Sequence, residues 1–233
     1  YYDFARADTH FYALNSNSAD SSLSDGHGCY SKPLDCSTLN FATADHCAKQ
    51  ICGQFLWAGY RSQKSKSTWK VPFFHHPPLS RARHPSCAAV QFDYTAWDAA
   101  AVLTGHNHMY ERVKVVPPSS EKYDVLLYIT NGLGGTSRDS SNLCEQSSFG
   151  TVDASVTGSV FSDHQWVDSH GAMRVRTNSQ CMEMSFYRHS GTLIDRCFLY
   201  RSGGKQYTQC TSDLQNQSGT KTCCTDRETG EEC

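Results

Sequence analysis

The sequence has no apolar stretch approaching the roughly 20 residues that an α-helix needs to cross a membrane. It also has little net charge: 21 lysines and arginines nearly balance 23 aspartates and glutamates, and no basic cluster stands out. Nucleic-acid binding depends on such a cluster, so the sequence predicts no nucleic-acid partner and no membrane span. The chain begins with neither a methionine nor a secretory signal, and its 233 residues are enough for one or two domains.

Cysteine, in contrast, is plentiful, and its 12 copies predict disulfides and therefore a secreted or extracellular protein. Four of them fall in residues 28–53, which we interpret as a cysteine-rich insertion. None of their spacings is C-x-x-C, so we favour two disulfides in this insertion, with the pairing left open. A zinc knot completed by His27 and His46 is the alternative. The four cysteines are Cys29, Cys36, Cys47 and Cys52.

Hydrophobic periodicity predicts one helix and several strands. Apolar residues at helical intervals indicate a helix from about His46 to Gln63. Runs rich in aromatic and apolar residues are typical of strands. They lie at Thr9 to Asn15, at Trp69 to His75, at Val125 to Thr130, and in three alternating runs between positions 171 and 200. The alternation of the last three predicts a half-buried antiparallel sheet, in which Cys181 and Cys197 could form a disulfide.

Two histidine motifs each follow a strand-like run. Residues 100–112 read A-A-V-L-T-G-H-N-H-M-Y-E-R, and residues 69–78 read W-K-V-P-F-F-H-H-P-P. In an extended segment His106 and His108 point to the same side, and Gly105 gives the backbone freedom to turn. Two strands that both end in histidines favour a site at the carboxyl edge of an α/β sheet. Since imidazole is a frequent metal ligand, we predict a metal site there; surface histidines in a loop are the alternative.

The segment G-H-N-H-M-Y-E-R resembles the G-H-x-H-x-Y-E-R signature of calcineurin-like metallophosphoesterases, most closely the purple-acid-phosphatase branch. F-F-H-H-P-P-L-S resembles their other histidine motif, and weaker similarity extends over most of residues 1–200. The resemblance implies an α/β fold of two packed sheets flanked by helices. It also implies two divalent or iron- and zinc-type ions, with His75 and His106 on one and His108 on the other. The implied reaction is attack of a metal-bound hydroxide on the phosphorus of a small phosphoester or a phosphoprotein.

Three earlier motifs of that family, which carry its metal-binding carboxylates and asparagine, have no counterpart in this sequence. They are of the kinds G-D-x-G, G-D-x-x-Y and G-N-H-[DE]. We therefore expect residues 1–201 to be the downstream part of a longer domain that is incomplete at the N-terminus. Without bridging carboxylates, His75, His106 and His108 could hold at most one metal ion.

The loop after the first histidine motif contains a candidate substrate residue. Relatives of this family often place a histidine there, and His84 fits that position, either holding a phosphate oxygen or protonating the leaving group as the catalytic acid. A merely solvated basic loop is the alternative. His76 is adjacent to the predicted ligand His75 on the opposite face, so we interpret it as structural. Glu111 and Arg112 are interpreted as an internal ion pair that fixes their loop.

Residues 202–233 form a polar, cysteine-rich tail that is too polar to build a core. It contains Asn216 in N-Q-S, the only N-glycosylation sequon. The missing carboxylate motifs and this tail motivate a second hypothesis: a secreted structural or assembly protein that keeps the fold without the activity. Such a protein could self-assemble through exposed sheet edges or through the tail. A simple zinc-binding module is a third interpretation.

Overall fold

The computed structural model describes residues 1–17, 26, 28–30, 32–117, 122–138, 149 and 159–211. Within these ranges the chain forms two β-sheets and one α-helix. The helix is α1 (His46–Lys64), and a short 3₁₀ turn covers Ala88–Val90. The strands are β1 (Tyr2–Arg6), β2 (Thr9–Ala13), β3 (Trp69–Phe73), β4 (Ala101–Thr104), β5 (Tyr110–Val116), β6 (Leu126–Asn131), β7 (Ser159–Trp166), β8 (Gly171–Thr177), β9 (Cys181–Arg188), β10 (Leu193–Ser202) and β11 (Lys205–Cys210).

The larger sheet has seven strands in the order β1-β2-β3-β4-β6-β5-β7. Its centre, β2-β3-β4-β6, is parallel, whereas β1, β5 and β7 join it antiparallel to their neighbours. Most residues of the central strands are buried because both faces of this sheet are covered. Their carboxyl ends all lie at one edge of the sheet, which is where the histidine motifs begin.

Helix α1 covers one face of the larger sheet. Its first turn is capped by Asp45, whose side chain accepts a hydrogen bond from the backbone N–H of Ala48. Ile51, Phe55 and Ala58 repeat at helical intervals and are buried against the sheet. The predicted helix from His46 is confirmed.

The smaller sheet, in the order β11-β10-β9-β8, is antiparallel throughout and packs on the other face of the larger sheet. Trp69 and Leu127 of the larger sheet share a core with Met184 and Leu199 of the smaller one. The predicted α/β architecture with two packed sheets is therefore confirmed. In the part of the chain described, a single α-helix flanks the sheets, where the family resemblance implied several.

The disulfides differ from the expected pattern. Cys36 pairs with Cys52 within the insertion, but Cys29 reaches out of it to Cys87. Cys47 takes part in neither and is a buried thiol inside the helix–sheet core. The prediction of two disulfides closed within residues 28–53 is therefore wrong. It failed because the burial of Cys29 beside residue 87 depends on tertiary packing that no local spacing reveals.

The second sheet holds another unexpected pair. Cys197 faces Cys210 directly across β10 and β11 and bonds to it, so the suggested bridge from Cys181 to Cys197 is wrong. Strand β11 was not predicted, and it extends the sheet past Arg201, where the sequence indicates the start of the tail. No helix among the described residues is long and apolar enough to span a membrane. Asn216 and the last cysteines of the tail lie outside the described residues.

Candidate metal centre

Two neighbouring parallel strands place the two histidine motifs side by side. His75 follows β3 and His106 follows β4 at the carboxyl edge of the larger sheet. The chain keeps the two segments paired beyond the strands, because the backbone N–H of Phe74 donates to the Leu103 carbonyl at 3.1 Å. The N–H of Gly105 likewise donates to the His75 carbonyl at 3.0 Å. The loops that carry the histidines are therefore fixed to each other by backbone hydrogen bonds.

The closest contact of the cluster joins His106 Nδ1 to His75 Nε2, which lie 3.0 Å apart. The ring of His76 lies 4.8 Å from that of His75 and 4.5 Å from that of His106, measured between centroids. One nitrogen from each of these three rings lies within 4.8 Å of the others. Together the three form the histidine cluster, His75, His76 and His106.

His106 adopts an unusual backbone conformation. Its φ is +67°, in the left-handed region that non-glycine residues rarely adopt, although asparagine, aspartate and histidine are enriched there. Such strain costs of order 1–3 kcal/mol and tends to occur at functional sites. The conformation is what turns the His106 ring towards His75 at the end of β4.

His76 is buried and positioned by Ser16. Its backbone N–H donates to Ser16 Oγ at 2.9 Å, and the Ser16 hydroxyl lies 3.0 Å from His76 Nδ1. Because the hydroxyl accepts from the N–H, its own proton can be donated to Nδ1. Sequence reasoning placed His76 on the face away from His75, yet its ring lies within the cluster.

His108 borders the same site without joining the cluster. It lines an open depression of about 390 Å³ together with His75, His106, Gly132 and Gly134. Its ligand nitrogens are not among the three that lie within 4.8 Å of one another. Burial and the nearby His108 lower the pKa of His75, which favours the neutral imidazole that metals bind.

His84 lies over the cluster from the opposite loop. Its ring centroid is 4.5 Å from that of His106. The buried side chain of Asn107 clamps its backbone: the His84 N–H donates to Asn107 Oδ1 at 2.8 Å, and Asn107 Nδ2 donates to the His84 carbonyl at 2.9 Å. Asn107, which lies between the two motif histidines, therefore positions His84, the candidate substrate residue. Sequence reasoning missed this role of Asn107.

Glu111 extends the same clamp. Its buried carboxylate accepts from Ser80 Oγ at 2.6 Å, from the Arg81 backbone N–H at 3.1 Å and from Gln165 Nε2 at 2.7 Å. Ser80 Oγ in turn accepts from Asn107 Nδ2 at 3.0 Å. Glu111 thus holds the loop that carries His84, rather than fixing its own loop.

Arg112 does not pair with Glu111, so that interpretation is wrong. Adjacent residues of a strand point to opposite faces, and both lie in β5. Arg112 is fully buried between the sheets, where its Nε lies 3.4 Å from Asp195 Oδ2 and its Nη1 2.6 Å from Cys197 Sγ. Tyr110 donates to the same Asp195 oxygen at 2.7 Å. The Y-E-R part of the motif, in β5 of the larger sheet, therefore connects that sheet to two neighbours. Tyr110 and Arg112 contact the smaller sheet, and Glu111 contacts the loop that carries His84.

Gly132 allows the two walls of the depression to meet. A Cβ at this position would lie 1.9 Å from the carbonyl oxygen of Asn107 and 3.3 Å from the Cα of His108. Real Cβ atoms do not approach backbone so closely, so only glycine fits here. Gly134, on the same wall, has open space where a Cβ would lie.

The cluster fits a metal ion in part. Two imidazole nitrogens that bind one zinc at 2.0–2.1 Å lie about 2.9–3.4 Å apart for ligand angles between octahedral and tetrahedral. The 3.0 Å between His75 and His106 falls in that range. Among the described residues, however, the only group of three or more metal-ligating side chains is this all-imidazole cluster, with no carboxylate. The described residues therefore suit one ion rather than a carboxylate-bridged pair.

No family model and no curated protein sequence matches the chain. Among solved structures, it is similar to purple acid phosphatase PPD1 from yellow lupin (Lupinus luteus) seeds, at 13% identity and a TM-score of 0.52. The match covers 96% of this chain but 36% of the lupin chain. GAP50, the anchor in the inner membrane complex of Plasmodium, matches at 14% identity with a TM-score of 0.46, over 84% of this chain and 51% of that one. The chain thus has a purple-acid-phosphatase-like fold and spans about a third of the lupin enzyme's length.

Proposed function

We propose that the protein containing this chain hydrolyses phosphoesters with metal ions held by His75, His106 and His108. The observation that carries the proposal is the 3.0 Å approach of His75 Nε2 to His106 Nδ1 at the carboxyl edge of a phosphatase-like sheet. Without a metal the two rings can share an N–H···N hydrogen bond at this distance, and the same two nitrogens are close enough together to bind one metal ion. The fold, the motif spacing and this geometry support the same reaction class.

His75, His106, His108 and His84 each have a role in this proposal. His75 and His106 would hold the one ion that the described residues suit, and His108 would be a ligand of a second ion only together with carboxylates from outside the described residues. Bound ions would polarise the phosphoryl oxygens and lower the pKa of a water molecule. His84, held by Asn107 on the opposite side, would hold a phosphate oxygen or donate a proton to the leaving alcohol. The open depression leaves room for the alcohol part of a small phosphoester or of a phosphoprotein.

Zinc titration and phosphate release test this proposal on one sample. The protein, freed of metal with a chelator, is titrated with zinc by calorimetry, and hydrolysis of p-nitrophenyl phosphate is then measured. His75→Ala and His106→Ala should each weaken zinc binding by about 100-fold or more and abolish hydrolysis. His189→Ala, in the exposed turn after β9, is the matched control and should change neither. Unchanged zinc binding and hydrolysis in both site variants would refute the proposal.

A second candidate is a secreted assembly protein, and the all-imidazole cluster together with the exposed edge of the larger sheet favours it. Edge strand β1 carries Tyr2 and Phe4, which are 59% and 44% exposed. Unpaired edges with exposed apolar side chains are sites of strand addition. Assembly through β1 predicts oligomers in analytical ultracentrifugation that Phe4→Lys disperses; a monomer with zinc-dependent hydrolysis would exclude this candidate. The disulfides support an oxidising, extracellular setting for either candidate.

A further inference from the structure

Away from the histidines, a cavity of about 730 Å³ lies between α1, the loop before it and the segment after the 3₁₀ turn. Its volume is that of a typical small-molecule site. The rings of Phe92 and Trp97 are half-buried in its wall, backed by the buried ring of Phe55. Phe92 stacks on Phe55 at 4.1 Å between centroids, and Trp97 lies 5.4 Å from it. The aromatic wall is therefore held rigidly from behind.

The charged residues that line this cavity are all acidic. Asp35 and Asp93 line it, and no lysine, arginine or histidine does. The three hydrogen bonds to Asp93, from Thr95 and Ala96, all go to Oδ1, so they leave Oδ2 to a ligand. Lys64 Nζ lies 5.7 Å from the centre of the Tyr60 ring, which lines the same cavity. Because Lys64 already lies over the Tyr60 ring, Phe92 and Trp97 are the lining rings that we assign to a ligand.

The cavity is preformed by two features of the chain. The Cys36–Cys52 disulfide ties the loop carrying Asp35 to α1, which fixes the distance between the two walls. On the helix, Gly59 leaves a gap that the Trp97 indole fills, since a Cβ there would lie 3.0 Å from Trp97 Nε1. A site whose walls are fixed before binding pays little ordering entropy when a ligand enters.

We propose that this cavity binds a small organic ammonium ion, with its charge between the carboxylates of Asp35 and Asp93 and its alkyl groups on Phe92 and Trp97. Aromatic faces attract ammonium groups through their quadrupoles, and fixed carboxylates add a direct charge interaction. A neutral ligand would gain the apolar contacts alone, and an anion would be repelled. The proposed ammonium site is separate from the histidine cluster. The cavity and the depression beside the histidines have no lining residue in common.

Choline and its neutral isostere 3,3-dimethyl-1-butanol test the proposal, because they share shape and differ in charge. In calorimetry with the full chain, choline should bind in the low millimolar range or tighter, and at least about tenfold more tightly than the alcohol. Equal binding of the two compounds, or binding of neither, would overturn the proposal.

Two single variants locate the site. Asp93→Asn keeps the oxygen that accepts from Thr95 and Ala96. Asp35→Asn keeps the oxygen that accepts from Ser37, and its amide N–H can donate to the Thr38 hydroxyl, so both variants should fold. Each should weaken choline binding by about threefold or more. Asp168→Asn, an exposed carboxylate before β8, is the control and should leave it unchanged. If Asp168→Asn weakened binding as much as the cavity variants did, the attraction would be general surface charge and the site would be refuted. Unchanged binding in both cavity variants would refute it equally.

Discussion

Asn107 Nδ2 donates hydrogen bonds both to the His84 carbonyl, at 2.9 Å, and to Ser80 Oγ, at 3.0 Å. The side chain between the two motif histidines therefore binds the loop that faces them. Since Asn107 is fully buried, its amide has no water to replace these partners. The histidine motif is thus both a set of candidate ligands and the anchor of the opposite wall.

Asn107→Ala should release that wall. It removes the hydrogen bonds that Asn107 makes to the N–H and the carbonyl of His84, so the free energy of unfolding should fall by about 2–3 kcal/mol. Hydrogen exchange at the His84 amide should accelerate, and the acceleration should be confined to this loop. A global loss of stability would instead accelerate exchange throughout the protein. Asn40→Ala, which removes one exposed local hydrogen bond to Ala42, is the control and should cost less than about 1 kcal/mol. Equal losses in the two variants would contradict the anchoring role.

Gly132 and Gly134 offer a matched pair on one wall of the depression. Gly132→Ala places a Cβ against the Asn107 carbonyl oxygen, and the backbone must shift, so we expect a loss of at least about 3 kcal/mol. Gly134→Ala adds a methyl group in open space and should change stability by less than about 1 kcal/mol. Urea unfolding of both variants measures the difference. A Gly132→Ala protein as stable as Gly134→Ala would show that the two walls do not meet as described.

The variant His106→Asn should separate the effect of the backbone strain at residue 106 from the effect of the imidazole on zinc binding. Asparagine adopts the left-handed conformation at least as readily as histidine, because its short side chain can hydrogen-bond to the local backbone, so the metal-free variant should be as stable as the parent or up to about 1 kcal/mol more stable. Zinc affinity should nevertheless fall about 100-fold, because one ligand is lost. Thermal unfolding with and without zinc gives both numbers. A marked loss of metal-free stability would mean that the ring supports the fold and is not held there for a ligand.

Asp98, which is not part of the histidine site, should make the free energy of unfolding depend on pH. Burial alone would raise its pKa, but hydrogen bonds and charge interactions with Arg201 and Lys70, at 2.9 and 2.8 Å, lower the pKa from 3.8 to about 2. A lowered pKa means that the ionised form stabilises the fold above pH 3.8 and that this contribution is lost as the pH falls through 2. Asp98→Asn should cost about 2 kcal/mol at pH 7 and about half as much at pH 3.

Urea unfolding of the parent and of Asp98→Asn across this pH range checks the sign. Asparagine also tolerates the positive φ of residue 98, so the substitution removes charge without adding backbone strain. A difference between the two proteins that stays constant down to pH 3, or that grows, would contradict the assignment.

Hydrophobic patterns within short segments predicted the helix and several of the strands. Helix α1 and strands such as β3 and β6 have periodic or continuous apolar residues, because each buries a defined face. Strand β1 escaped prediction since nearly all of its residues are exposed, so it shows no alternation. The histidine motifs predicted that His75 and His106 would come together, because parallel neighbouring strands end at one edge.

Long-range partners could not be predicted in the same way. Glu111 and Arg112 are adjacent and opposite in charge, which suggested a pair, yet β5 turns them to opposite faces towards Ser80 and Asp195. Cys29 likewise finds Cys87 across the fold, 58 positions away. In each case the sequence contains the residue but not the packing that selects its partner.

The most direct test of the metal centre is X-ray absorption at the zinc edge on the zinc-loaded protein. The account predicts nitrogen scattering from at least two imidazoles at about 2.0–2.1 Å, with fewer imidazoles bound in His106→Ala. A shell of oxygen alone, or an imidazole count that the substitution leaves unchanged, would show that zinc binds elsewhere and that His75 and His106 are not its ligands.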